Sequence, residues 1–305
     1  MRLSLIAAAL LLAGASAQAQ DSMIPSMPVL PPPAMVKPDA APAPAMTQAA
    51  PTTLAAGLDA VLAGDWRSEA NKARDVYRHP RETLACFGVQ PTQRVIEIWP
   101  GGGWYAEVLA PLLRDGGNYT GIIVDPAKEP DADGTRYAGS TNSKLRALFA
   151  KRPDLFGKAR LLEAGSAAPV LGAVNTADVV LTFRNAHNWV MAGNEQAMFK
   201  AFFAVLRPGG TLGVVDHRAA PDQPPAEMKT SGYLPEAYVI ALAEGAGFKL
   251  AGKSEVNANP ADTKDYPEGV WTLPPRLALG DKDRARYLAI GESDRMTLRF
   301  TKPAK

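Results

Sequence analysis

The chain of 305 residues holds three histidines, and two of them stand in polar clusters directly after apolar runs. Arg184-Asn185-Ala186-His187-Asn188-Trp189 follows the run from Ala177 to Phe183, and Asp216-His217-Arg218 follows the run from Thr211 to Val215. Imidazole changes charge near neutral pH and can take a proton from a hydroxyl or an amine. His187 and His217 are therefore candidate catalytic bases or substrate contacts, with Asn185 a third catalytic candidate beside the first. The alternative for each histidine is to order its own loop by hydrogen bonds. Arg184 either binds an acidic substrate or pairs with Asp178 or Glu195. His79 lies far upstream, and the spacing of the three histidines matches no metal motif, so no metal is expected.

A second chemical stretch runs from Arg94 to Ala110. The apolar run Val95 to Ile98 breaks at Pro100-Gly101-Gly102-Gly103, and Tyr105, Val108, Leu109 and Leu112 then follow at helical spacing. Strand, glycine turn and helix open a nucleotide-binding unit. Glycines let the backbone approach a ligand, and a helix start points free N–H groups at it. Glu97 lies near the strand end, where a carboxylate is costly unless it is paired or faces a ligand. Gly101-x-Gly103-x-x-Ala106 also fits the dinucleotide fingerprint, which allows alanine in the third place.

These residues need strands and helices to position them. Tyr119 to Val124 reads as a second strand ending in Asp125-Pro126, a little beyond the roughly 20-residue offset at which an acidic residue holds a ribose. Asp125 is the candidate ribose ligand, and the alternative is a turn cap before proline. Glu129 to Gly157 reads as a polar surface connection with a helix over 143–150. A third strand covers 159–162, with Glu163 and Ser166 as adenine-side candidates. Ala177 to Phe183 is the fourth strand and 194–206 a helix. Arg207-Pro208-Gly209-Gly210 turns into the fifth strand, 211–215. A helix over 235–244, a sixth strand from Phe248 to about Val256 and a seventh over 296–300 complete the pattern. Residues 257–293 form a long insertion, ordered by its aromatic and apolar content. Within it and beyond, Glu292-Ser293-Asp294-Arg295 is either a charged turn or a return to the active-site rim.

Composition bounds the rest. Net charge is +2, which leaves no electrostatic footprint for nucleic acid. The single cysteine, Cys86, excludes an internal disulfide and reads as buried filler. Arg2, the apolar run Leu3 to Leu12 and Ala17-Gln18-Ala19 form a secretory signal peptide cut after Ala19, too short to span a bilayer. Residues 20–51 are a Pro/Ala-rich mobile linker. The expected location is periplasmic or secreted, without membrane insertion after cleavage. Residues 52–90 read as a helical cover over the cofactor pocket, contributing Tyr77, Arg78 or His79, or else as a solvated helical segment. Residues 91–305 read as the α/β core.

Val95-Ile96-Glu97…Gly101-Gly102-Gly103, Asp125, Ala177-Asp178-Val179-Val180-Leu181 and Leu206-Arg207-Pro208-Gly209-Gly210-Thr211-Leu212 together resemble a class I S-adenosylmethionine (SAM) methyltransferase. The Leu-x-Pro-Gly-Gly turn is the most specific of these. Pro100–Trp104, Thr182–Trp189 and Gly291–Met296 are similar to motifs of predicted bacterial methyltransferases that carry signal peptides. The resemblance covers Val95 to Phe300 and implies a Rossmann-like sheet of seven strands, the last inserted antiparallel between the fifth and sixth. It implies SAM as cofactor, with Pro100 and the glycines on its methionine part and Asp125 on the ribose. Glu97 would serve the amino group, and Phe183, Arg184 and Asn185 would line the reactive end. One departure stands out: the family usually has a glycine where this chain has Trp99.

The resulting expectation is methyl transfer to a small-molecule acceptor. A non-catalytic periplasmic binding protein on the same fold and a nicotinamide oxidoreductase are the alternatives.

Overall fold

The computed structural model describes residues 52–129 and 132–304. The signal peptide and the linker read from residues 1–51 lie outside the described residues. Four helices come first: α1 (Thr52–Leu62), α2 (Glu69–Lys72), α3 (Asp75–Arg78) and α4 (Pro80–Cys86). Strands and helices then alternate: β1 (Arg94–Ile98), α5 (Ala106–Leu113), β2 (Asn118–Val124), α6 (Ala132–Lys151), α7 (Pro153–Phe156), β3 (Arg160–Ala164) and β4 (Ala177–Phe183). The second half holds α8 (Ala186–Ala192), α9 (Glu195–Val205), β5 (Leu206–His217), α10 (Met228–Ser231), α11 (Glu236–Gly245), β6 (Lys249–Ser254), α12 (Arg284–Ile290) and β7 (Arg295–Thr301).

The seven strands form one sheet in the order β3-β2-β1-β4-β5-β7-β6. The first five pair in parallel, and β7 runs antiparallel between β5 and β6, as the resemblance implies. Period-two alternation sends neighbouring side chains of a strand to opposite faces. Ile96, Val180 and Leu212 pack with Trp189, Phe199 and Phe202 of α8 and α9 on one face. Val95, Val179 and Leu181 pack with Leu58, Leu84 and Leu109 of α1, α4 and α5 on the other. Parallel strands covered on both faces need apolar residues at nearly every position, which is why these runs were readable.

Three expectations change. The Arg-Pro-Gly-Gly turn is absorbed into β5 as an irregularity: the pairing shifts between Ala177 and Val179, and Gly209, at φ 76°, donates its N–H to Lys302 O. The helix expected over 143–150 is α6, which begins at Ala132. Its buried stripe is only Ala138, Asn142 and Leu145, so its N-terminal half carries almost no apolar signal. The N-terminal helices pack on a sheet face beside α5, and from there Arg74 and Arg78 reach Glu292 near the ends of β4 and β5. Trp66 Nε1 donates to Glu107 O and Trp104 Nε1 to Asn71 O, which ties this segment to the start of α5. The insertion is ordered, with a cluster of Tyr266, Leu273 and Tyr287 of its own. Among the described residues no helix is long and apolar enough to cross a membrane.

Candidate active site

The turn between β1 and α5 needs its glycines for two different reasons. Gly101 has φ 58° and Gly103 φ 95°, conformations that side chains resist. A Cβ on Gly101 or Gly102 would meet nothing within 4 Å, whereas one on Gly103 would stand 2.8 Å from Leu145 and 2.9 Å from Leu148 of α6. Gly103 thus lets α6 pack close, and Gly101 and Gly102 leave open space. The N–H groups of Gly101 and Gly102 make no hydrogen bond among the described residues. Beside them opens a cleft of about 350 Å³. Its walls are Trp99, Pro100 and Gly101, the end of β2, Glu129, the α6 residues Tyr137 and Asn142, and Asn185 with Asn188. Asn142 is fixed by donating to Val124 O at 2.8 Å.

A second cavity, about 230 Å³, adjoins the first and shares Tyr137 and Asn188 with it. It is lined by Arg184, His187, His217 and, from the insertion, Val270, Trp271 and Arg276. The buried Asp216 carboxylate lies 2.8 Å from His187 Nδ1 and also accepts the backbone N–H groups of His187 and His217. An acceptor at Nδ1 puts the proton there and leaves Nε2 as the basic nitrogen. His217 Nδ1 meets Ser293 Oγ at 2.6 Å. Burial, followed by His187 and Arg184, lowers the His217 pKa well below the usual imidazole value, so His217 is neutral. The His187–Asp216 pair supplies a base, and its position over an open cavity suits proton removal from a bound molecule. His187, Asp216 and His217 also lie close enough to share a cation. Arg184, Arg295 and Arg78 all act on His217, and that field opposes a cation there.

Beneath the second cavity, one carboxylate serves several guanidinium groups. Glu292 accepts from Arg74 at 2.6 Å, Arg78 at 3.3 Å and Arg295 at 3.0 Å. Burial alone would raise its pKa, but Arg78, Arg295, Arg184 and Arg74 outweigh burial and hold it at about 2. Arg78 also stacks on Trp104, 4.6 Å from the ring centre. Arg184, at φ 61°, continues the sheet by donating its N–H to Val215 O.

Several expected site residues are placed otherwise. The Asp125 carboxylate accepts the Ala127 N–H and pairs with Lys128, the turn-capping alternative; the carboxylate on the cleft wall is Glu129. Glu97 points with Val95 into the layer under the N-terminal helices and bonds Tyr119 Oη at 2.7 Å. Burial raises its pKa to about 8. Phe183 stacks on Tyr105, ring centres 3.6 Å apart, and lines neither large cavity. Asn185 donates to Ile98 O and Thr182 Oγ1, so it ties the ends of β1 and β4 and acts as a positioning residue. Glu163 pairs with Arg146, and Ser166 accepts from Asn194. Of the N-terminal candidates only Arg78 reaches the arginine group; neither Tyr77 nor His79 lines the cleft or the second cavity. Arg184 pairs with neither Asp178, which holds Arg94 and Arg207, nor Glu195, which accepts from Tyr238. The run Glu292 to Arg295 does return beneath the site. Tyr137 and Asn142 were missed because the front of α6 carries almost no apolar signal, and Asn188, named within its polar cluster, was given no role.

Comparison with known proteins adds the fold. No family model matches the chain, and no curated protein matches it. Among solved structures, the cyclase SpnF aligns with a TM-score of 0.54 at 16% identity, over 87% of this chain and 100% of its own. A protein described as a candidate sarcosine dimethylglycine methyltransferase from Galdieria sulphuraria aligns with a TM-score of 0.51 at 13% identity, over 77% of this chain and 86% of its own. A SAM-dependent methyltransferase from Aquifex aeolicus aligns at 19% identity with a TM-score of 0.45, over 61% of this chain and 87% of its own. The chain shares the Rossmann-like fold of the first two. One of those is named a cyclase and the other a methyltransferase, so the reaction must be argued from the site.

Proposed function

We propose that the protein is a SAM-dependent methyltransferase acting on a small molecule, with the cofactor in the glycine-loop cleft and the acceptor in the adjoining cavity. The observation that carries this reading is the junction of the two cavities at Tyr137 and Asn188, with a His–Asp base on the acceptor side. The cleft fits the cofactor's chemistry in three respects. The free N–H groups of Gly101 and Gly102 suit its carboxylate, Glu129 is an acid on the wall, and no Cβ fills the space beside the loop. When bound, SAM supplies an electrophilic methyl group on a sulfonium, whose departure needs no proton.

The chain's part is alignment and proton removal. Holding the acceptor beside the junction converts a bimolecular encounter into an oriented one, the larger share of what a protein contributes here. Nε2 of His187 takes the proton of a hydroxyl or ammonium acceptor, and Asp216 stabilises the imidazolium that results. His217, neutral and held by Ser293, lines the same cavity.

The leader makes this a periplasmic or secreted protein in our reading, close to bacterial methyltransferases that carry signal peptides. SAM is made in the cytoplasm, so activity outside it would depend on cofactor supply. Calorimetric titration of the full chain with SAM, S-adenosylhomocysteine and NAD tests the assignment. The two adenosyl compounds are expected to bind and NAD is not. Binding of NAD alone, or of none, would contradict it.

A further inference from the structure

The wall of the second cavity is cationic and carries no carboxylate. Arg184 and Arg276 line it, and neither guanidinium has a hydrogen-bond or ion-pair partner among the described residues. The acids that could neutralise Arg184 are committed elsewhere. Asp178 holds Arg94 and Arg207, Glu292 holds Arg74, Arg78 and Arg295, and Asp216 holds His187 with two backbone N–H groups.

The imbalance continues behind Arg184. A small void of about 10 Å³ lies there, lined by Arg78, Arg184 and Arg295. Arg78 Nη2 and Arg295 Nε are buried with no hydrogen-bond partner. Burial lowers Arg184 to a pKa of about 10, so it keeps its charge at neutral pH. An enclosed cation without a partner is costly, and a chain that keeps one at a cavity wall gains by placing an anion there. The planar guanidinium matches carboxylate and phosphate oxygens in pairs.

We infer that the acceptor is an acidic small molecule, a carboxylate or a phosphate ester, whose oxyanion rests on Arg184 while its nucleophile faces Nε2 of His187. This rests on reading the second cavity as the acceptor site. Trp271, whose ring centre is 6.3 Å from that of His187, offers a flat wall for the body of such a molecule. Arg276, exposed at the rim, draws the anion in.

The test is titration of the full chain with benzoate, phenyl phosphate and benzamide, with and without saturating S-adenosylhomocysteine. At least one of the two anions is expected to bind tenfold or more tightly than the neutral amide. Which of them binds better separates carboxylate from phosphate. Arg184→Gln should abolish the preference, Arg184→Lys should retain part of it, and the exposed Arg276→Gln should weaken anion binding two- to threefold. Equal affinity for the amide, a preference that survives Arg184→Gln, or no anion binding by a protein that binds S-adenosylhomocysteine would each overturn the inference. Failure to bind S-adenosylhomocysteine would instead strike the cofactor assignment, and the anion preference measured without it would still decide this one.

Discussion

Asp216 offers one carboxylate to three donors: Nδ1–H of His187 and the backbone N–H groups of His187 and His217. An asparagine there has a single acceptor oxygen, and its NH₂ group would turn toward a ring nitrogen. Asp216→Asn is therefore expected to move the His187 proton from Nδ1 to Nε2, removing the base from the cavity. Nitrogen chemical shifts of the imidazole report the tautomer, and an unchanged tautomer would count against the dyad. Glu97 makes a second prediction. Its folded pKa of about 8 exceeds the ordinary carboxyl value of 4.5, so between these pH values the folded chain holds a proton that the unfolded chain has lost. Stability from this group is thus full below pH 4.5 and declines as pH rises toward 8, by on the order of a few kcal/mol. Glu97→Gln should flatten that decline in urea-unfolding measurements across the same range. A variant with the slope of the parent would show that Glu97 is ionised in the fold.

At the level of elements, the glycine turn and α6 act as one device. Gly103→Ala would drive a Cβ against Leu145 and Leu148 at a φ of 95°, pushing α6 off the turn. Gly101→Ala meets open space and bears only the backbone strain of its left-handed conformation, about 1–2 kcal/mol. Gly103→Ala is expected to lower the melting temperature more and to weaken S-adenosylhomocysteine binding. Equal effects of the two variants would mean that α6 does not depend on the close approach. The strands were legible because β4 and the stretches 95–98 of β1 and 211–215 of β5 are mostly apolar. The front of α6 was not, because its cleft-facing residues Tyr137, Thr141 and Asn142 are polar or exposed. Trp99 carries a left-handed φ of 49°, a conformation that a glycine adopts without strain. Its ring packs edge-on against Trp189, ring centres 5.4 Å apart.

Across the whole molecule, the site is assembled by strand order rather than by sequence neighbourhood. Phe183 and Val215 are register partners on β4 and β5, so the clusters that follow them meet. Both clusters could be placed at strand ends from sequence, but pairing Asp216 with His187 rather than with its neighbour His217 required the sheet. Asp125 stands at the end of β2 where it was expected, but its carboxylate caps the turn at Ala127 and pairs with Lys128, and the acidic residue lining the cleft is Glu129. The proposed export adds a prediction at this scale. The protein secreted by a bacterial host should begin at Gln20 by intact mass, whereas retention of residue 1 would remove the export reading.

The most direct measurement is a crystal structure of the protein with S-adenosylhomocysteine. The account predicts the ligand's carboxylate at the Gly101 and Gly102 N–H groups, its ribose toward Glu129, and its sulfur beside Tyr137 and Asn188, the residues that both cavities share. Density in another cavity, or a sulfur turned away from Tyr137 and Asn188, would contradict the division into cofactor cleft and acceptor cavity on which the proposed reaction depends.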